Sequence, residues 1–190
     1  MNKLTYRFTT IKLLVTVGLL LVCVAATGLA QGEEKYRLRV DITGIGGEGF
    51  GGGIDAIGTD QLLSMVVNET GVVGRAKFEP IVITKAIDSA TPRLFDVCAG
   101  GDRLHSVTIN WIRSNHLGRN TETIYFKVIL EDVQITSIRA RLPNQNDSKG
   151  QQLGPVEDVA FKFGRIRWVY TLPNGATINA GYDLRTNRGV

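Results

Sequence analysis

Chemistry in this chain would have to come from few side chains: two histidines, His105 and His116, a cysteine at Cys98, and a glycine motif early in the sequence. A metal site needs His, Cys, Asp or Glu ligands spaced so that they converge. Neither histidine has such a spaced partner, and both fall in segments that read as loops. Asp102, Arg103 and His105 cluster and would make an acid–base set, the only hydrolase or transferase reading on offer. Neighbouring polar residues of a tight turn are the commoner explanation. No serine occupies a nucleophile elbow. Gly44, Gly46 and Gly49 spell G-x-G-x-x-G after a good strand. A dinucleotide fingerprint needs that turn to open a helix, and the FGGG that follows cannot start one of any stability. The same loop lacks the Lys-Ser/Thr of a P-loop. The sequence therefore implies no enzyme, no metal and no cofactor.

Cys98 is the one cysteine outside the N-terminal apolar run, so it closes no internal disulfide and reads as a small buried hydrophobe. That apolar run is residues 13–26, LLVTVGLLLVCVAA. Lys3, Arg7 and Lys12 precede it, and Gly28-Leu29-Ala30 supplies small residues before Gln31. Basic n-region, apolar core and small-residue exit are the layout of a secretory signal peptide, so residues 1–30 are expected to be a leader and 31–190 one β-barrel domain. An uncleaved anchor is the alternative, since the apolar stretch is near the lower limit of a membrane span. The formal charge of +4 is then mostly targeting: three leader cations leave 19 Lys plus Arg against 18 Asp plus Glu in the remainder. That balance gives no support for nucleic-acid binding. Lys162, Arg165 and Arg167 alternate with Phe161, Phe163, Ile166 and Trp168, which resembles a single-strand binder. On an alternating strand, however, the aromatics face the core and the cations face water or a neighbour. The membrane enters only through the leader during export, to the periplasm or beyond the cell.

The elements that must position these residues are nearly all strands. Residues 36–43 alternate, with Tyr36, Leu38, Val40 and Ile42 on one face. Residues 44–58 are glycine-dense and read as an extended, mobile loop. Residues 61–73 fit a strand pair or a long excursion. Strands follow at 78–84, 106–113 and 121–130, the last continuing past a break or bulge at Glu131-Asp132 into 133–140. Polar loops are expected at 114–120 and 143–155, and further strands at 156–163, 165–171 and 177–183, with a strong turn at Pro173-Asn174-Gly175. One helix interrupts them. Thr91-Pro92 reads as an N-cap with proline at the first helical position. Leu94, Val97 and Cys98 form one inward stripe, and Gly100-Gly101 stop the helix. Roughly seven to nine strands without βαβ spacing predict a mainly antiparallel barrel or tight sandwich with one short helix packed into it.

The segments ITKAIDSATPRLFDVCAGG, SVTINWIR, TIYFKVILEDVQITSI, VEDVAFKFGRIRWVYT and GYDLRTN, in that order, resemble the haemolysin-coregulated protein (Hcp) family, tube subunits of bacterial type VI secretion. VDITGIGGEG is similar to that family's first strand and turn. The resemblance implies a mainly β fold, an antiparallel partial barrel of two sheets with one short helix. It also implies a non-catalytic structural subunit that forms six-membered rings, stacks them into a tube and carries effector cargo in the channel. Implied partners are copies of itself and spike, sheath or effector proteins, with no nucleic acid. The family's ring-contact loop has its counterpart here at residues 44 to about 73, with Gly44, Gly46, Gly47, Glu48, Phe50, Ile54 and Asp55 as its expected contact residues. The alternative is a secreted, monomeric barrel that has lost assembly and uses its loops, at 44–58 and 143–155, as a binding module.

Overall fold

The computed structural model describes residues 35–67, 69, 71, 73–115, 121–144, 146 and 154–190. The expected leader, His116 and most of the expected loops at 114–120 and 143–155 lie outside the described residues.

Strand β1 (Lys35–Ile42) buries Leu38, Val40 and Ile42 on its inward face, while Tyr36 at its start stays exposed. The same period-two alternation builds β2 (Ile54–Asp60), β5 (Ile81–Ala86), β6 (Arg103–Asn115), β7 (Thr121–Arg141) and β8 (Val156–Lys162). These six close on themselves in the order β7-β6-β1-β2-β5-β8, with β8 pairing back onto β7, all antiparallel. Val40, Ile54, Ile83, Val107, Ile109, Leu130, Val159 and Phe161 fill the barrel and are fully buried. A wing of β9 (Arg165–Thr171), β10 (Thr177–Asp183) and β11 (Arg188–Gly189) continues the sheet from β7. A separate hairpin, β3 (Leu63–Val67) and β4 (Val73–Phe78), connects β2 to β5. The expected mainly β barrel with one α-helix is the fold, with strands making up 64% of it.

Two local expectations are corrected and one is narrowed. The stretch read as a mobile loop to residue 58 becomes strand from Ile54, because pairing with Val40 and Leu38 of β1 supplies the order that glycine-rich sequence lacks locally. Of the break or bulge expected at Glu131-Asp132, the break does not occur: β7 runs through as one strand. It bends there, with Asp132 in the left-handed region (φ 55°). And α1 (Thr91–Gly100) begins at Thr91, so Ala90 is the cap and Thr91 does not cap through its side chain. The helix buries Leu94 and Val97 and leaves Cys98 half-buried, its Sγ 3.8 Å from the Ile135 carbonyl of β7. Gly101 (φ 68°) ends it, its N–H donating to the Cys98 carbonyl while the Asp102 N–H reaches Val97.

At the bend, β7 changes partners: residues 126–131 pair with β9, and 134–141 pair with β8. Gly164, between β8 and β9, crosses this corner and donates its N–H to the carbonyls of Glu131 and Asp132 at 3.0 and 3.1 Å. A Cβ at Gly164 would sit 2.9 Å from Asp132 Oδ2 and 3.2 Å from Asp132 Cβ, so any side chain there would have to push the Asp132 side chain aside.

The hydroxyl of Thr91 joins a buried ionic cluster. Lys85 keeps phase with Ile81 and Ile83, so it points inward, and across the ladder it faces Glu157, which keeps phase with Val159 and Phe161. Both side chains are fully buried, with Lys85 Nζ 2.8 Å from Glu157 Oε1. Nζ gives its other two protons to the Ala86 carbonyl and to Asp88 Oδ1, each at 2.7 Å, and makes a longer, shared contact with Thr91 Oγ1 at 3.2 Å. Thr91 donates in turn to Glu157 Oε1 and accepts the Asp88 N–H. One ammonium thus fastens two strands, a turn and the helix start. Truncating it strands two carboxylates out of water, so Lys85→Ala should cost about 3–5 kcal/mol by urea unfolding. Replacing both members of the pair by apolar residues, Lys85→Met with Glu157→Leu, should cost far less, and equal losses for single and double variants would refute the assignment.

Candidate functional site

The residues mapped to the ring-contact loop divide between surface and core. Residues 44–53 leave β1, cross beside it and return as β2. Backbone bonds order them: Gly47 N–H to the Gly52 carbonyl at 2.9 Å, Gly49 N–H to Gly53 at 2.8 Å and Gly52 N–H to Gly49 at 3.0 Å. A Cβ at Gly49 would lie 2.6 Å from the Gly53 carbonyl oxygen, so the strands of this loop approach too closely for any side chain there. Gly44 (φ 82°) and Gly46 are exposed, Gly47 is half-buried and Phe50 opens a 3-10 turn, Phe50–Gly52. Glu48 is exposed and accepts the Ser89 N–H at 3.3 Å, tying the loop to the turn before α1. Asp55 is exposed and pairs with Arg37 at 3.2 Å, which also holds Glu122 at 2.7 Å. Ile54 is different: it is fully buried in the barrel and offers no contact surface. Its β-branched side chain is simply the first inward position of β2.

The larger uncovered surface is one the sequence reading left ambiguous. On the β3–β4 hairpin Leu62, Leu63, Met65 and Val67 are all about half exposed. The foot of the hairpin is fixed, because Phe78 packs against Trp168 (rings 6.3 Å apart and stacked), Tyr182 (5.2 Å) and Phe163 (6.0 Å). The wing supplies a second uncovered surface. Tyr170 and Ile178 oppose each other across β9 and β10 and stand 42% and 60% exposed. Beyond its short pairing with β11 at Tyr182 and Asp183, β10 has no second partner among the described strands. The signal was present in the alternation of Leu63, Met65 and Val67, which is that of a strand with nothing described to bury it.

The cations alternating with aromatics resolve as the phase argument requires. Phe161, Phe163 and Ile166 are buried. Arg165 bridges Glu131 at 2.8 Å and Asp183 at 3.1 Å, and Arg167 reaches the same Glu131 at 3.2 Å. These ion pairs occupy the arginines that a single-strand binder would offer to phosphates. Asp183 also accepts from Arg185 and from the backbone N–H groups of Arg185 and Thr186. Donation from Arg185 and Arg165, outweighing burial, holds its carboxyl well below the usual carboxylate range. Arg103 and His105 line a groove of about 580 Å³ at the bend, with Glu131, Asp132, Arg165 and Arg185, while Asp102 does not line it. Arg103 is taken up by an ion pair with Asp132 rather than by His105. Among the described residues no three His, Cys, Asp or Glu side chains converge as metal ligands.

Comparison with known proteins agrees with this geometry. The family model described as "Type VI secretion system effector, Hcp" matches residues 56–170, from β2 to the end of β9. The "Major exported protein" of Pseudomonas aeruginosa is 34% identical over 97 residues, 51% of this chain and 55% of that protein, so the match spans about half the length of this relative. A solved "type six secretion system protein" superposes with a TM-score of 0.68 at 18% identity, covering 82% of this chain and 100% of the other. Hcp1 from Salmonella typhimurium does so with a TM-score of 0.63 at 20% identity, covering 82% and 99%. At these identities the structures speak for the fold alone.

The Asp183 network makes a pH-dependent prediction. A carboxylate with a depressed folded-state pKa contributes stability that is present above about pH 4 and lost as pH falls toward that pKa. Asp183→Asn should therefore destabilise the protein most at neutral pH, and the gap to wild type in urea midpoint should narrow below pH 4. A gap that is constant from pH 7 to pH 3 would contradict the network.

Proposed function

This chain belongs to the Hcp family of type VI secretion proteins, a family of secreted structural proteins, and from that premise we propose that it is a non-catalytic subunit that assembles with copies of itself into rings. The family match over residues 56–170 carries the reading, because it takes in the helix, the bend and most of the barrel together. Exposed apolar side chains on β3 and the part of the outer β10 edge that no described strand covers fit the same role. Soluble proteins guard free strand edges and apolar strips against indiscriminate pairing, and a defined self-contact is one way to cover them. Rings of six, stacked rings and small effector proteins held in the channel complete the proposal, with sheath and spike proteins as further partners.

Export through the leader at residues 1–30 belongs to the same reading, and the relative named as a major exported protein is in keeping with it. Intact-mass measurement of the protein recovered from the periplasm or medium should give a chain beginning at Gln31. Full-length chain retained in the membrane fraction would replace the leader by an anchor.

Light scattering after size-exclusion chromatography tests the assembly itself. Six times the subunit mass is expected. A mass of one subunit at high concentration would overturn the ring and leave a monomeric binding module in its place.

A further inference from the structure

The edges of β3 and β10 that no described strand covers have complementary phases, and we infer that β3 of one copy adds as a parallel strand to the outer edge of β10 of the next. This rests on the self-association proposed above and specifies where it occurs. One hydrogen bond sets the phase on each edge. The Glu79 N–H donates to the Leu62 carbonyl at 3.1 Å, so Leu62 turns its backbone groups toward β4. By the alternation of a strand, Leu63 and Met65 turn theirs to the free side. On β10 the Val190 N–H donates to the Gly181 carbonyl at 3.1 Å, on the side away from β9. Thr177 and Asn179 share that outward phase, and they lie beyond the reach of β11 and Val190, which cover β10 from Gly181 to Asp183.

Side-chain placement chooses the direction. In an antiparallel pair, outward-facing residues oppose each other, which would put Leu63 and Met65 on the face of Thr177 and Asn179. In a parallel pair the outward residue bonds to the neighbours of the one opposite. Leu63 then gives its N–H to the Thr177 carbonyl and takes the Asn179 N–H, and its side chain lies beside Ile178. Met65 comes to lie beside Ala180. Leu63 (47% exposed), Met65 (52%), Ile178 (60%) and Tyr170 (42%) would share one apolar face. The parallel direction also carries exposed Glu69 toward the C-terminal end of β10, where Arg188 is exposed, and neither has an ion-pair partner among the described residues. Charge and apolar face therefore agree on the same orientation. The contact is heterologous, one surface meeting a different one, so it repeats from copy to copy.

Two variants test it. Asn179→Pro removes an outward N–H while leaving the β9 ladder, whose bonds come from the even-numbered residues of β10. Leu63→Glu with Met65→Glu charges the hairpin face. Each should run as a monomer in sedimentation velocity at concentrations where wild type assembles, with at least a tenfold rise in the midpoint of assembly. Mixed one to one they should form a dimer and nothing larger, since one retains the edge and the other the hairpin. That rescue also shows both are folded. Ile178→Glu, which keeps every backbone donor, should behave as Asn179→Pro does. Arg188→Glu should weaken assembly, and Glu69→Arg in the same chain should restore it. Assembly of either variant at the wild-type midpoint, or a mixture that stays monomeric, overturns the strand addition while a hexameric wild type leaves the ring reading standing. A monomeric wild type overturns both.

Discussion

The structure depends on a change of partner within one strand. β7 is 21 residues long, and at Asp132 it leaves β9 for β8. Below the bend the sheet curls shut into the barrel that holds the core. Above it, the sheet runs on as the wing. Neither half would exist with a straight β7. A strand paired along its full length with one neighbour would give either an open sheet or a barrel with no wing. The Gly164 N–H, shared between two carbonyls, ties the corner through the backbone, and ion pairs from Arg165 and Arg167 to Glu131 and from Arg103 to Asp132 flank it.

The second constraint is ionic and sits where the helix enters. Burial of Lys85 and Glu157 removes two charges from water, which their mutual attraction repays only with good geometry and further hydrogen bonds. The backbone carbonyl of Ala86 and the side chains of Asp88 and Thr91 supply those bonds. An apolar pair would hold β5 against β8 as firmly, but it would not fix where the turn ends and the helix begins. The cluster therefore acts on registry, setting α1 so that Leu94 and Val97 meet the core.

Much of this was legible in the sequence. Alternation located β1, β6, β7, β9 and β10, and the Pro173-Asn174-Gly175 turn forms with Gly175 at φ 84°. The helix was readable from Pro92, the Leu94–Val97 stripe and the terminal glycines. What escaped was order created at a distance. Ile54 to Asp60 has glycine-rich surroundings, and only the neighbouring strands make it a strand. The buried role of Lys85 was hidden by its type, although its phase with Ile81 and Ile83 placed it inside. Thr91 looked like a cap because threonine caps helices, whereas its hydroxyl serves a charge pair formed by residues on two other strands. The uncovered β10 edge could not be foreseen either, since a strand's open side is a property of the whole sheet.

Phe78 has a consequence beyond packing. It wedges the foot of the hairpin against Trp168 and Tyr182 of the wing, so within one chain the hairpin and the β10 edge hold a set orientation to each other. In any head-to-tail assembly that orientation is the rotation from one subunit to the next, and a ring closes only when the rotation divides a full turn. Subunit number then becomes an angular quantity, stored in the tilt of a few aromatic rings inside each monomer. A smaller side chain at that wedge would change the angle between hairpin and wing without altering the exposed residues of either.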